Sequence, residues 1–182
     1  NGLLLHMDGA RIANAAVTLG VPFREFTTDA GVDVLSFGGT KNGMMYGEAI
    51  CFLKPGLSEG FKYLRKQGMQ LASKMRFISA QYIAYLSGGL WKECASHSNR
   101  MARELQKRLK EVNGIKITQK VEANGIFVIM PGRVAALLSR EYFFYPWNEH
   151  LSEFRLMTSW DTTLDDVQQF VERLKILMAD EK

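Results

Sequence analysis

Cysteine and histidine are scarce in this chain, whose 182 residues include 2 Cys and 3 His. Cys51 and Cys94 form neither a CxxC motif nor a disulfide framework, and such usage is typical of a reducing cytosol. His97 and His150 lack the spacing of metal ligands, and we expect His6 to be a core residue of a strand. The sequence therefore predicts a cytoplasmic protein without a metal site.

Long apolar runs and dense basic runs are also absent. No apolar stretch approaches the ~20 residues of a transmembrane helix, and the first residues do not resemble a signal peptide. The net charge is +4, but Lys and Arg are spread along the chain, which argues against nucleic acid as the main partner. Neither a Walker A motif nor a GxGxxG motif is present, so a nucleotide site is not indicated. We therefore expect neither a membrane nor a nucleic acid as a partner.

What is present is an ordinary globular composition, with 47% hydrophobic and 23% charged residues. Three apolar runs in the first third of the chain predict strands: Leu3 to Met7, Val32 to Phe37 and Glu48 to Leu53. A helix from about Ala10 to Leu19, which ends at Gly20, lies between the first two strands. This succession of strand, helix and strand predicts a βαβ unit and an α/β fold.

The first predicted strand, Leu3 to Met7, is apolar along most of its length. A strand of this kind is typical of the interior of a parallel sheet, where both faces are buried. An interior strand needs neighbours on both sides, and the chain begins just before it. We therefore expect the chain to be the C-terminal portion of a longer protein.

The rest of the chain changes character at Gly88-Gly89. Residues 57–86 are predicted to be mostly helical, and the amphipathic pattern from Trp91 to Val112 predicts a long helix. Beyond it we expect paired strands at 115–119 and 126–130, a helix at 132–141, a strand at 154–159, and a last helix opened by the capping box Thr163-Leu164-Asp165-Asp166. We therefore place a domain boundary between residues 89 and 90, with a compact α+β domain at 90–182.

Asp8 and Lys41 are the candidate chemical groups of the first domain. Asp8 closes the first predicted strand, and Lys41 lies in the glycine-flanked segment Ser36 to Gly43, which follows the second strand. Because ligands of such sheets collect at the carboxyl ends of strands, both side chains are expected at one edge. A lysine that forms a Schiff base and an aspartate that pairs with a pyridinium nitrogen are the requirements of a pyridoxal-phosphate (PLP) site.

Each of the two residues also has a purely structural interpretation. Asp8 is of a type that often caps a following helix, and a lone lysine in a glycine-rich loop is usually a solvated surface group. The combination favours the cofactor site, because a nearby anion would keep a pyridinium protonated and the glycines permit close approach to the backbone.

The segments His6-Met7-Asp8-Gly9-Ala10-Arg11 and Ser36-Phe37-Gly38-Gly39-Thr40-Lys41-Asn42-Gly43 resemble the threonine aldolase branch of fold-type-I PLP enzymes, which is grouped with the β-eliminating lyases. The resemblance continues through residues 71–77 and 154–161. It implies the C-terminal part of a PLP-dependent transferase-like large domain, followed by a small α+β domain. It also implies a homodimer or homotetramer whose active sites lie between subunits.

The resemblance implies roles for five residues. Lys41 would carry the cofactor as an internal aldimine, Asp8 would pair with the pyridine nitrogen, and Arg11 would face the cofactor's phenolic oxygen and the substrate carboxylate. Arg155 would grip the substrate carboxylate, a task suited to a planar bidentate donor. Without the resemblance, Arg155 would be taken for a surface strand residue. Thr40, or alternatively Ser36, would contribute to the phosphate site.

The chain departs from the family pattern in two respects. Gly38 and Gly39 stand where many relatives carry hydroxyl residues, and nothing corresponds to the family's phosphate-binding loop or to the histidine that stacks on the pyridine ring. The implied activity is cleavage of an amino-acid substrate, threonine or allo-threonine, to glycine and acetaldehyde, with this chain alone expected to be inactive. A PLP-dependent β-eliminating lyase and an inactive module that acts only in assembly remain as alternatives.

Overall fold

A computed structural model describes residues 2–180 of the chain. The chain divides into two compact units, residues 1–94 and 95–182, and the division falls inside the helix Leu90–Leu109. The boundary placed from the sequence lies at the start of this helix. Each unit combines helices with its own β-sheet, so the expected α/β fold class is confirmed.

The first unit contains a three-stranded sheet in the order β1–β2–β3, formed by His6–Gly9, Val34–Gly38 and Glu48–Phe52. β1 and β2 are parallel and are connected through helix α1 (Ile12–Leu19), as the predicted βαβ unit requires. β3 runs antiparallel to β2, with Glu48 opposite Gly38. The beginning of β3 therefore lies at the same edge as the carboxyl ends of β1 and β2.

The first strand differs from its prediction, because it begins at His6 and not at Leu3. Leu3, Leu4 and Leu5 are 85%, 54% and 50% exposed, and His6, which we expected in the core, is exposed as well. The main chain of Leu5 is held by hydrogen bonds with Asp33 and Val34. β1 lies at one edge of the sheet that the described residues form. These leucines are therefore uncovered among residues 2–180. That neighbouring strands of a longer protein bury the strand on both faces stays a prediction.

The helices of the first unit follow the expected pattern with shorter bounds. α1 ends at Gly20, whose φ of 70° permits its N–H to bond the carbonyl of Ala16 at 2.9 Å. The stretch predicted to be helical contains two helices, α2 (Phe61–Gln67) and α3 (Met75–Leu86). The core of the unit is built from Ile12 of α1, Leu35 and Phe37 of β2, Tyr85 of α3, and the loop residues Val32 and Met44.

The second unit has a four-stranded antiparallel sheet in the order β4–β5–β7–β6, formed by Lys116–Ile117, Gly125–Ile129, Glu153–Met157 and Tyr145–Asn148. Helix α4 (Leu90–Leu109) contributes its part from Ala95 onward, and α5 (Gly132–Leu138) and α6 (Leu164–Ala179) complete the unit. The core includes Leu105, Ile126, Val134, Leu156 and Leu174. The predicted pairing of β4 with β5, the strand β7 and the three helices are confirmed.

Two features of the second unit show what the sequence pattern could predict and what it could not. The capping box at α6 is confirmed, with Thr163 Oγ1 accepting from the N–H of Asp166 at 3.1 Å and the Asp166 carboxylate accepting from the N–H of Thr163 at 2.7 Å. Strand β6 was not predicted, because Pro146 interrupts its pattern. β6 lies at the sheet edge, where a missing N–H is tolerated.

Among the described residues, no helix has both the length and the apolarity needed to cross a bilayer.

Candidate functional site

Lys41 lies in a short 3-10 turn, Thr40–Asn42, shortly after the end of β2. The carbonyl of Gly39 accepts a hydrogen bond from the N–H of Asn42 at 3.0 Å. Gly43 follows with a φ of 105°, a conformation that favours glycine. This tight turn leaves the Lys41 side chain exposed, so a primary amine stands at the carboxyl end of the central strand.

Gly38 and Gly39 are required by close packing within the protein itself. A Cβ atom on Gly38 would lie 2.7 Å from Cα and 2.9 Å from the carbonyl oxygen of Ala10, and a Cβ on Gly39 would overlap Sδ of Met44. We had interpreted these glycines as room for a ligand. Gly38 allows the segment after Asp8 to lie directly against the strand that leads to the lysine, and Gly39 leaves space for the side chain of Met44.

Asn42 anchors the lysine turn to the helical part of the first unit. Its side chain is 2% exposed, and Nδ2 donates to the phenolic oxygen of Tyr85 at 2.6 Å and to the carbonyl of Trp91 at 2.8 Å. A buried side chain with two such bonds has little freedom to change conformation. The backbone next to Lys41 is therefore held in one place.

Tyr82 holds the end of β2 from the same helix as Tyr85. Its hydroxyl donates to the carbonyls of Phe37 at 2.9 Å and Gly47 at 3.2 Å. Burial and, to a smaller extent, the negative charge of Glu48 raise the pKa of Tyr82 to about 12. The phenol therefore keeps its proton, and remains a donor, throughout the neutral pH range.

Thr40 closes the loop between the lysine turn and β3. Its hydroxyl donates to the carbonyl of Gly47 at 3.3 Å and accepts from the N–H of Gly47 at 3.0 Å. A hydroxyl has a single proton to donate. Thr40 therefore uses that proton on the protein's own backbone.

Asp8 is exposed near the end of β1, opposite Ser36 of β2. Its Oδ1 accepts from the N–H of Ala10 at 2.9 Å, a local turn bond. The residue at the N-cap of α1 is Arg11, and no side chain caps this helix. The interpretation of Asp8 as a helix cap was therefore wrong, and its carboxylate lies at the sheet edge where the lysine turn begins.

Arg11 is half-buried at the position where the chain enters α1. Its carbonyl accepts the helical hydrogen bond from the N–H of Ala15 at 3.3 Å. The backbone of Arg11 is thus fixed three residues after Asp8 by the start of the helix. Both residues belong to the connection that leaves the carboxyl end of β1.

Glu48 is a site residue that was not predicted from the sequence. Burial raises the pKa of its carboxyl, the positive charge of Lys41 opposes that rise, and the negative charge of Asp8 adds to it. Because charges act strongly only over short distances, Glu48 lies near both groups. The antiparallel direction of β3 is what brings it there, and the sequence does not show that direction.

Arg155 belongs to β7 of the second unit, where Phe127 of β5 stands directly opposite. Its guanidinium carbon lies 5.9 Å from the ring centre of Phe127 and 5.4 Å from that of Trp147. Its Nε is buried and has no hydrogen-bond acceptor within residues 2–180. The side chain therefore packs among aromatic rings and does not simply project into solvent.

Within the first unit, the structure brings Asp8, Lys41 and Glu48 to one edge of one sheet. The edge offers an exposed primary amine and two carboxylates. An amine can attach covalently to a carbonyl compound, and a carboxylate can hold a protonated ring nitrogen. The donor set therefore fits PLP.

Comparison with known proteins agrees with this chemistry. A family model described as beta-eliminating lyase matches residues 1–132. The chain is 44% identical over 179 residues to a low specificity L-threonine aldolase of Pseudomonas aeruginosa, an alignment that covers 98% of this chain and 51% of that protein. It is 43% identical to a protein of the same description from another Pseudomonas strain, with the same coverage.

A solved structure of the Leishmania major threonine aldolase is also similar. It superimposes with a TM-score of 0.84 and 31% sequence identity, over 97% of this chain and 52% of that one. The chain thus spans about half the length of the relatives that it matches.

Proposed function

Because this chain belongs to the β-eliminating lyase family, we propose that it acts as part of a PLP-dependent aldolase. The substrates are β-hydroxy-α-amino acids, with threonine or allo-threonine cleaved to glycine and acetaldehyde. The observation that carries the proposal is the placement of an exposed lysine and an aspartate at one sheet edge, both within electrostatic reach of Glu48. The similarity to low specificity L-threonine aldolases supports the choice of substrate.

PLP, when bound, supplies an electron-accepting ring that withdraws electrons from the bonds at the substrate Cα. Lys41 is the residue that would hold it covalently through Nζ. Asp8 would keep the ring nitrogen protonated, since an anion beside a cation favours both ionised forms. Thr40 would join the phosphate side by exchanging its 3.3 Å bond to Gly47 for one to the cofactor.

The family resemblance implies that Arg155 and Arg11 both serve the substrate carboxylate. We assign Arg155 to this carboxylate, because its guanidinium has no carboxylate partner among residues 2–180 and can donate two parallel hydrogen bonds. Arg11 would contribute from the connection after β1, next to the cofactor. With its carboxylate held, the substrate would keep one orientation of its Cα–Cβ bond relative to the cofactor ring. That orientation determines which bond at Cα is broken.

A PLP-dependent β-eliminating lyase is the alternative, since the family model carries that description and the same lysine and aspartate would serve. The two activities differ in their products. Threonine should yield acetaldehyde and glycine under the aldolase proposal, whereas tyrosine or tryptophan should yield pyruvate and ammonia under the alternative.

The assay compares these substrates in the PLP-supplemented aldolase of which this chain is proposed to be a part and in its Lys41→Arg variant, with Lys62→Arg of α2 as the matched control. We expect acetaldehyde from threonine, a loss on the order of 10³-fold in Lys41→Arg and no loss in Lys62→Arg. Pyruvate from tyrosine would establish the alternative. Neither product from any substrate would favour an inactive module that acts only in assembly.

The family resemblance also supports a homodimer or homotetramer in a reducing, cytoplasmic setting. The free thiols of Cys51 and Cys94 are compatible with such a compartment. Light scattering on the purified protein would give the oligomer mass. A monomer that retains full activity would contradict the proposed assembly.

A further inference from the structure

Trp147 occupies an irregular position at the edge of the second sheet. β6 pairs with β7 through Tyr145 opposite Arg155 and through Asn148 opposite Glu153, and the register shifts between Pro146 and Asn148. Trp147 is the extra residue at this shift, that is, the bulged residue. A β-bulge locally twists a strand and redirects a side chain, and bulges are frequent beside functional sites.

The redirected indole lies against Arg155. The guanidinium carbon is 5.4 Å from the centre of the Trp147 ring and 5.9 Å from that of Phe127. The two rings contact each other edge to face, with centres 5.0 Å apart at 69°. Three neighbouring strands thus contribute one side chain each to a single cluster: Phe127 from β5, Arg155 from β7 and Trp147 from β6.

Among residues 2–180, no carboxylate forms a salt bridge with this arginine. Glu153 lies two residues before Arg155 on β7, and residues so spaced face the same side of a strand. Yet Glu153 accepts a hydrogen bond from the hydroxyl of Thr118, and no salt bridge to Arg155 exists among residues 2–180. The Arg155 Nε is buried without an acceptor. A buried N–H group without an acceptor is costly, so an anion from outside the unit is its expected partner.

We propose that Trp147 and Phe127 are positioning residues that hold Arg155 ready for the substrate carboxylate. This inference rests on the proposed function, in which Arg155 binds that carboxylate. Arginine carries a long, flexible side chain, and fixing it in advance lowers the entropy lost when a ligand binds. The attraction between a cation and aromatic rings supplies the fixing force without using the N–H groups that the carboxylate needs.

The test uses Trp147→Leu, with Trp147→Phe as the conservative variant and Phe143→Leu as the matched control. Phe143 is an exposed aromatic residue of the same unit whose ring contacts Tyr145. One readout is the KM and kcat for threonine of the PLP-loaded aldolase of which this chain is proposed to be a part. The other needs no cofactor: it is the rate at which phenylglyoxal modifies Arg155, followed by peptide mass mapping, with and without glycine as a protecting carboxylate.

We expect Trp147→Leu to raise KM on the order of fivefold with kcat little changed, because the ring orients Arg155 and does not touch the reacting atoms. Arg155 should be modified faster, and glycine should protect it less. Trp147→Phe should retain most of the wild-type behaviour, which loss of folding could not explain, and Phe143→Leu should match the wild type.

Arg155→Lys separates the two possible failures. If Arg155→Lys changes neither KM nor glycine binding, the assignment of Arg155 to the carboxylate is wrong, and the positioning role falls with it. If Arg155→Lys raises KM strongly while Trp147→Leu behaves like Phe143→Leu in both readouts, the proposed function stands and the positioning role is overturned.

Discussion

The side-chain amide of Asn42 donates a 2.6 Å hydrogen bond to the phenolic oxygen of Tyr85, inside the first unit. Asn42 immediately follows Lys41, whereas Tyr85 lies on α3, so the bond spans 43 positions of the sequence. The position of a reactive lysine on a short turn depends on how firmly the backbone of that turn is held. This bond ties that turn to a buried helix residue.

Tyr85→Phe should loosen the lysine turn. The change removes a buried hydrogen bond while leaving the bond from Asn42 to the carbonyl of Trp91, so we expect a loss of about 1–2 kcal/mol in the free energy of unfolding. Hydrogen exchange at the turn should also become faster. Chemical denaturation and exchange mass spectrometry measure the two effects. The exposed Tyr63→Phe is the control, and equal behaviour of the two variants would show that the bond contributes nothing.

Gly38→Ala should be far more harmful than Gly132→Ala. A Cβ at Gly38 would meet the backbone of Ala10 at 2.7 Å, whereas a Cβ at Gly132 would meet no atom within 4 Å. Backbone cannot move aside cheaply, so we expect a loss of about 1–3 kcal/mol for Gly38→Ala and a neutral or slightly stabilising change at Gly132. Thermal unfolding of both variants checks this. If Gly38→Ala caused no loss of stability, the segment that follows β1 could not be packed closely against β2.

Glu48→Gln should stabilise the protein at neutral pH. Burial raises the pKa of Glu48 above its usual 4.5, so folding disfavours the charged carboxylate. Below pH 4.5 the group is protonated in both folded and unfolded states and has no effect. As the pH rises through the folded-state pKa, ionisation costs stability. The glutamine variant avoids that cost, so its advantage should appear above pH 4.5 and vanish below it. A pH series of denaturation midpoints measures this, and an advantage that grows at low pH would contradict the assigned environment.

Asp8→Asn should weaken PLP binding without unfolding the first unit. The change keeps the oxygen that accepts from Ala10 but removes the negative charge proposed to face the ring nitrogen. Loss of a charged hydrogen bond corresponds to roughly a 10- to 100-fold lower affinity. Equilibrium dialysis with PLP gives the affinity. Asp29→Asn, at a surface ion pair with Arg24, is the control and should bind PLP normally. Equal affinities in the two variants would remove Asp8 from the site.

Local patterns in the sequence predicted much of the fold, because strands, helices and helix caps depend largely on residues that are close in sequence. The parallel pair of strands around α1 and the capping box at Thr163 were recognised from apolar runs and cap residues. Strand β6 was missed, because its Pro146 is tolerated only at a sheet edge. Position within a sheet is a property of the assembled fold, and no local pattern carries it.

The same reason explains which parts of the site were found. Lys41 and Asp8 stand in motifs that follow strands, so their common edge could be inferred. Glu48 reaches that edge because β3 turns back along β2, and Trp147 contacts Arg155 because a bulge redirects it. The roles of Gly38 and Asn42 likewise depend on partners distant in sequence. Gly38 packs against the backbone of Ala10, and Asn42 donates a hydrogen bond to Tyr85.

The covalent attachment of PLP to Lys41 tests the account most directly. The protein would be incubated with PLP, reduced with borohydride, digested and mapped by mass spectrometry. We predict a visible absorbance band and a single reduced adduct on the peptide that contains Lys41, absent in Lys41→Ala and retained in Lys54→Ala. Label scattered over surface lysines, with Lys41 no more reactive than Lys54, would contradict the assignment of this edge as the cofactor site.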